Sequence, residues 1–148
     1  MASLHFLVID GYRRDGREGL TAAGATTAGK LYERMLLGCH PDASVDILYP
    51  ADPGSALPRG VSLAAYDGIA WTGSSLTVYD ADDPAVRPQV EFARAAFEAG
   101  VPSFGSCWAA QIAVVAAGGR CAANPRGREE GNAGKIAPNE DGRAQPLS

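Results

Sequence analysis

The chain has 148 residues, 46% of them apolar and 20% charged, enough for one domain with a core of its own and too few for two. A formal net charge of −4 argues against a nucleic-acid partner or an anionic membrane surface. No stretch approaches the ~20 consecutive apolar residues of a membrane-spanning helix. The apolar run Leu4 to Ile9 lacks the cationic flank and cleavage site of a signal peptide, so a cytoplasmic protein is expected. Cys39, Cys107 and Cys121 are odd in number and far apart, which points to free thiols in a reducing compartment.

In chain order, Leu4 to Ile9 is almost continuously apolar, as in a central strand covered on both faces. A polar, glycine-rich stretch, Gly11 to Gly19, follows. Leu31, Met35 and Leu36 recur at helical spacing, and Gly38 is expected to end that helix. Val45 to Tyr49 reads as a second strand, the proline-rich segment 50–60 as loop, and Gly68 to Thr72 as a third strand closed by Gly73-Ser74-Ser75. Asp83-Pro84 predicts a helix start, Val86, Val90, Ala93 and Phe97 its apolar face, and Gly100 its end. Val101 to Gly105 is a fourth strand. Trp108 to Ala117 is an alanine-rich helix stopped by Gly118-Gly119.

Strands alternating with helices at this spacing imply a mostly parallel sheet between two helical layers. The expected fold is therefore α/β, a flavodoxin-like three-layer sandwich with its core in residues 1–123. From Asn124 the large apolar residues thin out to Ile136 and Leu147. Residues 124–148 are accordingly expected to form a poorly packed tail, and the domain to be incomplete on its C-terminal side.

Gly105-Ser106-Cys107-Trp108-Ala109 puts a thiol on a strand-to-helix turn, the geometry that presents the serine of hydrolase elbows. A helix amino terminus, with unpaired N–H groups and the positive end of the dipole, favours the thiolate. The segment Val101-Pro102-Ser103-Phe104-Gly105-Ser106-Cys107-Trp108-Ala109-Ala110-Gln111, running on to Gly118-Gly119, resembles the nucleophile segment of class I glutamine amidotransferases. Tyr66 to Ser74 is similar to that family's upstream Asp-Gly-strand-[Ser/Thr]-Gly segment. Asn124-Pro125-Arg126-Gly127-Arg128-Glu129-Glu130-Gly131 resembles a stretch of its stand-alone, GMP synthase-like members. The resemblance covers nearly the whole chain but only the front part of a typical family domain.

The resemblance implies that Cys107 attacks the side-chain amide of glutamine, giving a γ-glutamyl thioester and ammonia. It assigns the oxyanion hole to the backbone N–H groups of Trp108 and of Gly73 or Ser74, and substrate contact to Gln111 and Ser74. An ammonia-accepting synthase is the implied protein partner, a homo-oligomer is left open, and no cofactor or metal is called for. Ala109 stands where the family has glycine. The activating His and orienting Glu of the family lie downstream of the nucleophile, and no His-Pro-Glu-like motif occurs in residues 1–148. His5, within the first strand, and His40, after the first helix, have no chemical reason to meet Cys107. The 148-residue polypeptide is thus expected to be a very poor glutaminase. Two competing readings are a non-catalytic scaffold of the same fold and a protease-like cysteine hydrolase. The second would place histidine where Trp108 stands. Arg13, Arg14 and Arg17 are read as a solvated basic loop, and Asp80, Asp82 and Asp83 as turn and capping residues.

Overall fold

The computed structural model describes residues 3–80, 82–127, 137 and 140–144. Strands β1 (His5–Ile9), β2 (Ser44–Leu48), β3 (Gly68–Trp71) and β4 (Ser103–Gly105) form one sheet in the order β2-β1-β3-β4. Every pairing is parallel: Phe6 stands beside Val45 on one side and Gly68 on the other, and Trp71 stands beside Gly105. The carboxyl ends of all four strands therefore share one rim, where open α/β sheets bind their ligands. The expected flavodoxin-like α/β architecture is present.

The helices are α1 (Arg14–Ala22), α2 (Ala28–Cys39), α3 (Arg87–Glu98), α4 (Trp108–Ala116) and a short α5 (Glu140–Arg143). Helix α2 packs on β1 and β2, and α3 packs on α4. Leu7, Val8 and Ile9 of the central β1 are fully buried, which is why that segment reads as a solid apolar run. Leu7, Ile9, Ile69 and Trp71 meet Val90 and Ala96 of α3 and Trp108 and Ile112 of α4 in one core. Strand β4 is exposed along its length, with Phe104 62% exposed.

Several local readings need correction. Most of the polar, glycine-rich stretch Gly11 to Gly19, for which no helix was expected, belongs to α1, which runs from Arg14 to Ala22. That helix buries no residue, so it carries no apolar stripe for periodicity to find. Gly38 lies inside α2, which runs to Cys39 and ends with the His40 N–H donating to the Leu36 carbonyl at 2.8 Å. Leu31 and Met35, read as its apolar face, are about half exposed. Asp83-Pro84 does not open α3. Asp83 Oδ1 accepts the Ala85 N–H at 2.8 Å in a side-chain-closed turn, and the helix begins at Arg87 with Pro88 in its first turn. The expected helix ends at Gly100 and Gly118 are present, both with positive φ.

Of the expected tail, residues 124–127, 137 and 140–144 are described, and the rest lies outside the described residues. Among the described residues no helix is long and apolar enough to cross a membrane.

Candidate active site

Between the end of β4 and the start of α4 the chain has two residues, Ser106 and Cys107, in which to reverse. Cys107 does it with φ 58° and ψ −113°, the only positive φ at a non-glycine among the described residues. The Ala109 N–H closes the turn on the Ser106 carbonyl at 3.1 Å. Those dihedrals are those of the first central residue of a type II′ turn, which glycine normally fills. Holding a larger residue there costs on the order of 1–3 kcal/mol, a strain that collects at functional sites.

Close packing makes the turn feasible. A side chain on Gly105 would lie 2.5 Å from Ala109 Cβ and 2.8 Å from Trp71 Cβ. The bare Gly105 therefore leaves the space that the buried Ala109 methyl occupies. Substituting alanine for the family's glycine at 109 fits because position 105 gives way.

The turn brings Cys107 to the surface at the amino end of α4, and its side chain makes no capping hydrogen bond. Cys107 thus stands at the helix end where the unpaired N–H groups and the positive end of the dipole lie. Across from it lies Gly73, in the loop after β3. A Cβ on Gly73 would sit 3.8 Å from Cys107 Cβ and 3.9 Å from its Sγ. A Cβ there would fit at ordinary contact distance, so the glycine reports how close the two backbones lie rather than a clash avoided. The two backbone segments expected to form an oxyanion hole, Gly73-Ser74 and Cys107-Trp108, are therefore side by side.

What holds them together is Gly11, just beyond β1. Its carbonyl accepts from Ser74 Oγ at 2.9 Å and from Gln89 Nε2 at 3.3 Å, and its N–H donates to Thr72 Oγ1 at 3.1 Å. Gln89 is completely buried. Its Nε2 also donates to the Ala85 carbonyl at 2.8 Å, and its Oε1 accepts the indole N–H of Trp108 at 2.9 Å. A Cβ on Gly11 would lie 2.7 Å from Trp108 Cδ1, so the indole stacks into the place a side chain would take. Nearby, the buried Asp10 carboxylate accepts the N–H groups of Tyr12 at 3.0 Å and Gly29 at 2.8 Å, tying the start of α2 to the same rim.

Among the other sequence-predicted residues, Ser74 is at the site, but its hydroxyl is committed to the Gly11 carbonyl and to the Leu76 N–H. Gln111 lies one turn along α4, with Oε1 accepting the Val78 N–H at 3.4 Å, so it braces the loop after β3. His5 is at the amino end of β1, on the far edge of the sheet from Cys107. Its Nε2 pairs with Asp46 at 2.9 Å, and Tyr66 donates to the same carboxylate at 2.8 Å. Burial, and then that hydrogen bond to Asp46, push the Tyr66 hydroxyl well above its ordinary pKa. The His40 ring packs against Phe6, also near that far edge.

Of the arginines expected as a solvated basic loop, Arg13 and Arg14 are exposed and Arg17 is largely covered, and all three are paired. Arg13 pairs with Asp83, and Arg14 and Arg17 with Asp52 at 3.3 and 2.6 Å. The Arg17 guanidinium also lies over the Tyr49 ring. Burial alone would raise the Asp52 carboxyl, but the hydrogen bonds and charges of Arg17 and then Arg14 outweigh it and hold it below the usual carboxylate range. Sequence reasoning missed Gln89, although its signal was present: it falls three residues after Val86, on the stripe of a helix whose other stripe residues are apolar.

A thiol on a strained turn at the carboxyl rim of a parallel sheet, at a helix amino terminus, is an arrangement that suits a cysteine nucleophile. No family model matches the chain. Over 119 residues, 80% of its length, the chain is 40% identical to a gamma-glutamyl-L-1-hydroxyisopropylamide hydrolase from a Pseudomonas species. The aligned part is 39% of that relative, so the chain spans about two-fifths of its length.

Proposed function

We propose that this chain carries the nucleophile of a γ-glutamyl amide hydrolase. The observation that carries the reading is Cys107 itself, exposed, with positive φ, uncapped at the amino end of α4 and facing Gly73. The Cys107 thiolate adds to the side-chain carbonyl of a γ-glutamyl amide. The developing oxyanion is held by the N–H groups of Trp108 and of Gly73 or Ser74, donors of a kind worth roughly 3 kcal/mol each. Collapse breaks the C–N bond, the nitrogen leaves with a proton, and a γ-glutamyl thioester remains. Water then attacks the thioester, giving glutamate and restoring the thiol.

The leaving nitrogen separates two forms of this reading. The likeness of residues 124–131 to the GMP synthase-like proteins favours glutamine, with ammonia passed to a partner synthase. The likeness to the Pseudomonas hydrolase favours an N-substituted amide, with release of an amine. Both pass through the same acyl thioester on Cys107. Neither His5 nor His40 faces the thiol, so residues 1–148 by themselves supply no imidazole to protonate the leaving nitrogen.

The test offers glutamine and a γ-glutamyl alkylamide to the gene product that carries these residues. It follows glutamate release and, by intact mass, acylation of Cys107. Release from at least one substrate is expected, with Cys107→Ala lowering it ~10⁴–10⁶-fold, as loss of the nucleophile does in related systems. The 148-residue polypeptide alone should acylate slowly and turn over several orders of magnitude less. A Cys107→Ala protein that still releases glutamate at the wild-type rate would exclude the reading.

A further inference from the structure

We infer that Gln89 is a positioning residue for this reaction, acting through the indole of Trp108 to fix the oxyanion hole. The inference rests on the thioester reading above and adds a residue to it.

The two halves of the hole come from distant parts of the chain. One half is the loop after β3, and Ser74 Oγ ties it to the Gly11 carbonyl at 2.9 Å. The other is the first residue of α4, Trp108, which has no direct hydrogen bond to that loop. Gln89 makes the link. Its side-chain amide reaches the same Gly11 carbonyl at 3.3 Å with Nε2 and takes the Trp108 indole N–H on Oε1 at 2.9 Å. One carbonyl thus references both halves, and the whole path is buried, with Gln89 at 0% and Trp108 at 1% exposure.

Burial gives this link its force. A glutamine removed from water must satisfy both ends of its amide, because a buried donor or acceptor left unpaired keeps its full desolvation penalty. Both ends are satisfied here. The Nε2 group donates to Ala85 and Gly11, which orients the amide and turns Oε1 toward the indole. A rotated amide would aim N–H at N–H, so the network permits one orientation of the glutamine and one seat for the indole. The backbone of Trp108 joins that ring through only two torsions, χ1 and χ2, which a fixed, buried indole holds in one setting. A hydrophobic residue at 89 would fill the same space and satisfy the core, yet would leave the indole free to shift. The purpose of a buried amide on an otherwise apolar stripe is therefore orientation of Trp108.

A misplacement of about 1 Å at reacting groups costs on the order of 100-fold, and the test reads that loss in kcat. Trp108→Phe removes the indole N–H and keeps an aromatic ring. Gln89→Met removes both ends of the bridge and keeps the volume. Each should lower kcat for the γ-glutamyl amide roughly 10- to 100-fold with KM little changed, since the link supports a charge that exists only in the transition state. Both variants break the same bond, so the double variant should be no slower than the slower single.

Additive losses, or a rise in KM with kcat intact, would overturn the positioning role. So would unchanged kcat in either single variant while Cys107→Ala is dead, an outcome that leaves the thioester reading standing. Activity surviving Cys107→Ala would instead remove that reading. A measurement on the wild type covers variants that fail to fold. The Trp108 indole N–H should exchange slowly with deuterium, and more slowly still in the adduct with a γ-glutamyl aldehyde, whose tetrahedral oxygen mimics the oxyanion. Exchange at the rate of a solvent-exposed indole, or no change on adduct formation, would overturn the proposal without any substitution.

Discussion

Cys107 occupies backbone space that suits glycine, and the molecule holds a thiol there at a cost to its stability. Replacing the side chain therefore separates strain from chemistry. Cys107→Ala keeps a Cβ in the same turn and keeps the strain, whereas Cys107→Gly releases it. The glycine variant should be more stable than the alanine variant by about 1 kcal/mol, the strain of 1–3 kcal/mol less glycine's entropy loss of about 0.5–1 kcal/mol. Urea midpoints of the two variants, both inactive, check this. An alanine variant as stable as the glycine one would mean that the turn relaxes in solution. Gly105, just before the thiol, has a steric reason legible only in three dimensions: it yields to Ala109 and Trp71. The sequence marks it as glycine without saying what it avoids.

Among the elements, α1 shows what a periodicity argument overlooks. It buries nothing and is fastened by charge, through Arg14 and Arg17 to Asp52 in the loop after β2, and through Arg17 Nη1 to the Tyr12 carbonyl at 2.5 Å. Because Asp52 titrates below its usual range in the folded protein, its pairing stabilises the fold above the carboxyl's unfolded pKa of about 3.9. That contribution is lost as pH falls through the lower folded value. Wild type should accordingly be more stable than Asp52→Asn at pH 7, with the gap closing as pH drops below about 4. Equal urea midpoints at both pH values would mean that the arginines contribute nothing. The central strands β1 and β3 and helix α4, by contrast, were legible from the sequence, because burial writes a nearly unbroken apolar run in those strands and glycines mark the helix end. The start of α3 was misplaced because Asp83 closes a turn of its own before the helix begins.

At the scale of the whole molecule, the sheet order put Cys107 where the sequence suggested and put both histidines on the wrong edge to serve it. The turn that carries Cys107 was legible because its signal is local: a strand, a turn and a helix within a few residues. The bridge through Gly11 and Gln89 was not, since it joins positions 11, 74, 89 and 108, and no short window contains them. The same dispersion has a consequence in time. None of the pieces around the thiol is adjacent in sequence to the others, so the site cannot assemble hairpin by hairpin. It requires the parallel pairings of β1 with β3 and β3 with β4, contacts of long sequence separation that form late. Until then Cys107 is an ordinary cysteine on a flexible chain. Pulsed iodoacetamide during refolding should therefore find the three thiols equally reactive at first. Enhanced labelling of Cys107 over Cys39 and Cys121 should arise in step with the burial of the core tryptophans Trp71 and Trp108, read by fluorescence. An enhancement that precedes that burial would mean that the turn and α4 activate the thiol alone. If the two coincide, the thiol is a clock that starts only when the last strand has docked.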